Sequence, residues 1–351
     1  MKEYSIERIP HKVWGRTGKS HSPLALFWTG AALELNIRGA EAWIEVETDY
    51  DTYEVWIDIL VDEAVTQRIM LPKGRSRVCC FRGMNPKESK NVRIIRDTPA
   101  MTEKNDKSNI LMIRSVLTDG EIEPVLNRMI RIEFIGDSIT CGEGCGGAVD
   151  QMDWNSACFS AIDSYPFYIA QALDAEYNVI AQSGWGVVFS YEGKKEEAIP
   201  SCYGQICGLT GGDRARRMGA KQPWDFTSWQ PDIIIINLGT NDAQAIEDAG
   251  FNARQTRMRK DFAAGIVSFL KELRAMNPNA QIIWAYGMLG DQMADEIRDS
   301  MNLYYQETGD DKVMFFLLED TPTEDFGSRE HPGPQAHRRA AEDICDLLEE
   351  M

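Results

Sequence analysis

The chain has 351 residues, 43% of them hydrophobic, which is enough for a sizeable core and excludes wholesale disorder. Its 37 Lys and Arg against 55 Asp and Glu leave a net charge of −18, which argues against nucleic acid or an anionic membrane as the main partner. No run approaches the ~18 apolar residues of a membrane span. The start, Met1 to Arg8, is polar and lacks the apolar core of a secretory signal, so the sequence as given reads as cytoplasmic, or as secreted if a signal has been trimmed.

The first third alternates with period two. Leu33, Leu35 and Ile37 are separated by Glu34 and Asn36, and Ala42, Ile44 and Val46 by Trp43 and Glu45. Further β-like runs follow at 53–61, 68–71, 77–81, 92–95 and 110–117, divided by turn signals such as Pro72-Lys73-Gly74 and Asn85-Pro86. Many short strands without a convincing helix predict a β-sandwich of the jelly-roll kind. After Arg128 the texture changes to alternating strand and helix. Strands are expected at 131–135, 177–181, 232–237, 281–286 and 312–318, and helices at 164–173, 254–276, 291–305 and 334–349. That alternation predicts an α/β/α domain around a parallel sheet of flavodoxin-like type. The expected domains are therefore residues 1–125 and 126–351. The long Gly-rich stretch 190–229 between two strands reads as a wall or lid of a site.

Eight cysteines show no zinc-like spacing and read as buried or partly buried free thiols, so no metal is expected. Four short blocks follow strand ends or precede the last helix: Gly136-Asp137-Ser138-Ile139-Thr140, Gln182-Ser183-Gly184-Trp185-Gly186, Leu238-Gly239-Thr240-Asn241-Asp242 and Glu330-His331-Pro332. Acyl transfer needs a hydroxyl nucleophile, an imidazole to take its proton, and donors aimed at a tetrahedral oxyanion. Ser138, His331, the Gly184 N–H and the Asn241 amide can fill those roles if the strand ends converge. Taken singly, Ser138 also reads as a helix cap and Asn241 as a turn residue.

With one Ser, Gly, Asn and His per block in that order, the chain resembles the SGNH (GDSL-type) hydrolase superfamily from about Arg131 onward. Phe27-Trp28-Thr29-Gly30 with Ile37-Arg38-Gly39, and the run Trp224 to Asp232, resemble carbohydrate esterase family two, whose members remove acetyl groups from xylan and related sugars. The resemblance implies a two-domain, cofactor-independent serine esterase acting on a small acetylated saccharide. Ser138 would be its nucleophile and His331 its base, with the Ser138 and Gly184 N–H groups and Asn241 as the oxyanion hole. Where the superfamily carries an acid, two or three residues before the histidine, this chain has Arg329 and Ser328. Glu330 and Asp325 are the nearest carboxylates, although neighbours in an extended segment point opposite ways, which counts against Glu330; a backbone carbonyl is the other way to hold the ring. Trp185, Trp224 and Trp229 can stack on sugar faces, core packing being the plainer reading for each. A short-chain lipase or thioesterase and a sugar-binding protein with a vestigial site are the alternatives. A homo-oligomer is left open.

Overall fold

The computed structural model describes residues 1–351 and divides into two compact units. The first comprises residues 1–127 with 155–157 and 205–224, and the second 128–154, 158–204 and 225–351. The expected break at 125/126 lies two residues early. The larger difference is that twenty residues of the long 190–229 connection belong with the first unit, so that connection is not a single lid.

The first unit has eleven strands: β1 (Lys2–Ser5), β2 (Lys12–Trp14), β3 (Leu24–Leu26), β4 (Ala32–Arg38), β5 (Glu41–Asp49), β6 (Val55–Val61), β7 (Ala64–Leu71), β8 (Gly74–Arg82), β9 (Ser89–Arg96), β10 (Ile110–Thr118) and β11 (Glu121–Glu123). They form two antiparallel sheets, one ordered β1-β10-β5-β8 with β3 beside β10, the other β11-β4-β9-β6-β7 with β2 beside β4. The alternation seen in the sequence is the burial pattern. On β5, Ala42, Ile44 and Val46 are buried while Trp43, Glu45 and Glu47 are not. Leu33 and Leu35 on β4, Ile57 and Ile59 on β6 and Leu111 and Ile113 on β10 join Ile44 and Val46 in one core fed by both sheets. Each such side chain contributes roughly 1.5–3 kcal/mol of burial. The segment 205–224 is tied in by hydrogen bonds that buried groups require. The Trp28 indole N–H, fully buried, donates to the Ile206 carbonyl at 2.8 Å, and Arg16 Nη1 donates to the Gln205 carbonyl at 3.2 Å.

The second unit follows with β12 (Ile130–Gly136), α1 (Tyr165–Ala172), β13 (Ala175–Ala181), β14 (Ile233–Asn237), α2 (Thr240–Asp248), α3 (Ala253–Met276), β15 (Gln281–Tyr286), α4 (Ala294–Thr308), β16 (Val313–Leu317) and α5 (Pro334–Glu349). The five strands form one parallel sheet ordered β13-β12-β14-β15-β16. The run Ile234-Ile235-Ile236 is fully buried, as a central parallel strand covered on both faces must be. Helix α3 buries Met258, Phe262, Ile266, Phe269, Leu270 and Leu273, the stripe expected from its 3.6-residue period, and Asn252 caps its start by accepting from the Arg254 and Gln255 N–H groups. Helix α2 was not anticipated. It begins behind Gly239 at φ 133° with no side-chain cap, and its first turn, Thr240-Asn241-Asp242, reads locally as a turn. All eight cysteines are free. No helix is long and apolar enough to cross a membrane.

Candidate active site

Register brings the blocks together. In the parallel ladder Gly136 at the end of β12 pairs with Ala181 of β13 on one side and Asn237 of β14 on the other. Three adjacent strands thus stop at one level, and Ser138, Gly184 and Asn241 follow within two to four residues. Strand β12 is also where the order reverses, with β13 on one flank and β14 on the other, and ligands of open α/β sheets sit at such a switch point.

His331 arrives from the loop before α5. Its Nε2 lies 3.0 Å from Ser138 Oγ, and its Nδ1 lies 2.8 Å from the Arg329 carbonyl. A carbonyl only accepts, so Nδ1 carries the proton and Nε2 offers its lone pair to the serine hydroxyl. The tautomer is the one a general base needs. The loop is seated by Ser328 N–H on the Gly144 carbonyl (3.2 Å), Ser328 Oγ on the Gly146 carbonyl (2.7 Å) and Arg329 N–H on the Gln151 carbonyl (2.7 Å). Gly144, at φ 94°, is required there: a Cβ would come within 2.7 Å of His331 Cβ.

Neither anticipated carboxylate reaches the ring nitrogen. Asp325 is paired with Arg339, and Glu330 is exposed at φ 53° in the turn before the histidine. The partner of Nδ1 is instead the Arg329 carbonyl. The other histidine nearby, His337, is buried and stacked on Tyr165, and its Nδ1 accepts the Tyr165 N–H at 3.2 Å. Burial, and then the charge of His331, pull its pKa down to about 3, so it stays neutral.

Asn241 sits in the first turn of α2, where its Nδ2 donates to Asp137 Oδ2 and to the Trp185 carbonyl, each at 3.0 Å. Two acceptors fix which end of the amide points inward. An oxyanion at Nδ2 would compete with the Trp185 carbonyl for one of these N–H groups. The N–H groups of Ser138 and Gly184 donate to no backbone carbonyl. Asp242 accepts the N–H groups of Val187, Val188 and Phe189 at 2.7–2.9 Å and so anchors the loop that carries Gly184. Burial raises Asp137 to about 7, with the charges of Asp242 and Glu143 adding to the effect and the Ile139 N–H and Asn241 opposing it. Asp242 is raised to about 6 by burial, against the N–H groups of Val187, Phe189 and Val188 and its own.

Two groups beside this constellation, Glu143 and Tyr191, escaped the sequence reading. Glu143, 1% exposed, accepts from Arg329 Nε at 2.7 Å and from the Ser183 hydroxyl, and its Oε1 is 4.0 Å from His331 Nε2. Tyr191, 53% exposed, lays its ring 3.0 Å from where a Cβ of Gly184 would stand. Of the three tryptophans, only Trp185 is gathered here, half-buried and through its carbonyl. Trp229 donates to Glu176 at 3.4 Å, near the start of β13 and ~16 Å of strand away from the end that carries the site. Trp224 belongs to the first unit, with its ring under the Arg16 guanidinium at 5.5 Å.

A switch-point serine paired with a histidine before the last helix defines an acylhydrolase of the GDSL kind. The chain belongs to the GDSL-like Lipase/Acylhydrolase family, whose model matches residues 134–339. Over 99% of its length it is similar to the solved acetyl xylan esterase Est2A from the rumen bacterium Butyrivibrio proteoclasticus, with 38% identity, 98% of that chain covered and a TM-score of 0.96. An acetylxylan esterase / glucomannan deacetylase of Cellvibrio japonicus (strain Ueda107) is 26% identical over 353 residues, 97% of this chain and 89% of that protein. The structure of a family two carbohydrate esterase from Cellvibrio japonicus shares the fold at a TM-score of 0.82 and 23% identity, covering 99% of this chain and 97% of that one.

Proposed function

We propose that this protein is a serine esterase that removes O-acetyl groups from xylo- or gluco-oligosaccharides through an acetyl-enzyme on Ser138. The carrying observation is the 3.0 Å contact between Ser138 Oγ and His331 Nε2, with the imidazole held in the base tautomer by the Arg329 carbonyl. The names of the related esterases supply the substrate class.

In this reading His331 Nε2 takes the Ser138 proton as Oγ attacks the acetyl carbonyl. The negative charge on the tetrahedral oxygen falls to the Ser138 and Gly184 N–H groups and to Asn241 Nδ2. His331 then gives its proton to the sugar oxygen as its bond to the acetyl carbon breaks, and the sugar leaves as a hydroxyl. His331 next takes one from the water that attacks the acetyl-enzyme and hands it to Ser138 Oγ as the acetyl–Oγ bond breaks, releasing acetic acid and restoring the free serine and the neutral imidazole. Asp137 and Asp242 position Asn241 and the Gly184 loop and exchange no proton with substrate.

The test is acetate release from acetylated xylo-oligosaccharides and from p-nitrophenyl acetate, with acyl chains longer than butyrate much poorer. Wild-type protein that binds the sugars without releasing acetate would leave a sugar-binding function in its place.

A further inference from the structure

The proposed dyad leaves two tasks that a carboxylate usually performs: fixing the imidazole, and countering the positive charge it gains when Ser138 attacks. The Arg329 carbonyl fixes the ring, but a carbonyl carries no net charge. It is also presented at a cost, because Arg329 and Glu330 stand at φ 60° and 53°, consecutive left-handed residues that are not glycine. Such a turn persists only when its surroundings hold it. Here the hold is visible. The Arg329 guanidinium donates through Nε to Glu143 at 2.7 Å and through Nη1 to the Met152 carbonyl, while the Arg329 N–H reaches the Gln151 carbonyl at 2.7 Å. Glu143, nearly fully buried, is fixed in turn by the Ser183 hydroxyl and lies 4.0 Å from the reacting nitrogen of His331.

We propose that the Glu143–Arg329 ion pair does the work of the absent acid. Arg329 is a positioning residue whose side chain clamps the left-handed turn that aims its carbonyl at His331 Nδ1, and Glu143 supplies the counter-charge to the imidazolium from the Nε2 side. This rests on the acyl-transfer reading of Ser138 and His331. Around His331, Glu143 from the loop after β12 lies 4.0 Å from Nε2, Arg329 and the exposed Glu330 stand in its own loop, His337 from α5 stays neutral, and Asp137 beside Ser138 is raised to about 7 chiefly by burial. The signs of the two charges therefore predict opposite pH effects. Removing Arg329 leaves Glu143 uncompensated and favours the protonated ring; removing the Glu143 charge does the reverse.

The experiment measures kcat and KM on p-nitrophenyl acetate against pH for the full-length protein and four variants, with thermal melts as a folding control. Arg329→Met is expected to lose about 10–100-fold in kcat with KM changed less than about threefold, and to move the acid limb of kcat/KM to higher pH. Glu143→Gln is expected to lose about tenfold in kcat and to move that limb to lower pH. Arg329→Gly, which adopts the left-handed turn without strain, should recover part of the kcat lost in Arg329→Met. Ser138→Ala separates the two readings. If it still turns over, the acyl-transfer scheme fails and this proposal falls with it. If it is inactive while Arg329→Met and Glu143→Gln stay within twofold of the parent and their acid limbs do not move, only the clamp is wrong. Should Arg329→Met fail to melt cooperatively, Arg329→Lys, which keeps the charge but not the planar fork, carries the same kcat expectation.

Discussion

Both units bury charged side chains, but they spend them differently. In the first unit Arg96 is 1% exposed and donates to the Leu26, Thr98 and Pro99 carbonyls and to Asn109 Oδ1. Lys90 gives its ammonium to the carbonyls of Gly39, Asn85 and Glu88 at 2.6–2.7 Å, and Asp106 accepts the N–H groups of Asp51, Thr52 and Tyr53. Their partners are mainly backbone, so these charges staple loops to a sandwich. In the second unit Glu143, Asp137 and Asp242 are equally buried; Asp242 also holds backbone N–H groups, but those of the loop that carries Gly184, while Glu143 and Asp137 hold the side chains of Arg329 and Asn241 beside the proposed chemistry. Burial of a charge alone is therefore no mark of function. The identity of its partners is.

The largest effect that tests this contrast is Ser138→Ala, expected to cost on the order of 10⁵–10⁶ in kcat with an unchanged melting curve. Measurable turnover near the parent's would remove the second unit's special status. Next is Asn241→Ala, for which a loss of about 10²–10³ in kcat is expected if its amide donates to the oxyanion. Because that amide already serves Asp137 and the Trp185 carbonyl, a loss below tenfold would assign it to loop positioning alone. Arg96→Met reads the other side of the comparison. It strands several carbonyls, so the unfolding free energy should fall by about 3 kcal/mol in denaturant titration, while kcat per folded molecule holds. A loss of kcat without loss of stability would contradict the stapling role.

Legibility in the sequence followed the same division. Period-two alternation in β4 and β5 and the stripe on α3 are repeated signals, and all three elements formed where expected. The strand ends carrying Ser138 and Asn241 could be placed because an apolar run precedes each block. Strands of three or four residues, such as β2, β3 and β11, are too short to show a period. The attachment of 205–224 to the first unit depends on long-range hydrogen bonds from Trp28 and Arg16, which no local pattern encodes. Glu143 was invisible for the same reason: it lies between two glycines, and its partner is 186 residues away. The missing acid could be recognised only as a missing acid, since backbone carbonyls leave no trace in side-chain identity.

The smallest expected effect concerns Asp137 and the pH dependence of stability. Its folded pKa of about 7 lies above the ordinary 3.8 because burial disfavours the carboxylate, and the neighbouring Asp242 and Glu143 add repulsion. Between pH ~4 and ~7 the folded state thus holds a proton that the unfolded chain has released. The stabilisation is fully present below the unfolded value and is lost as pH rises through the folded one. For this group alone that amounts to about 2 kcal/mol between pH 5 and 7. Asp137→Asn has no such proton and should flatten the fall in denaturant midpoint across that range. Asp242, raised to about 6, contributes a slope of the same sign and keeps the variant's profile from becoming level. An Asp137→Asn profile as steep as the parent's would mean that the carboxyl stays ionised through this range, its charge held by the Ile139 N–H and Asn241. In that case the second unit would satisfy its buried charges as fully as the first does.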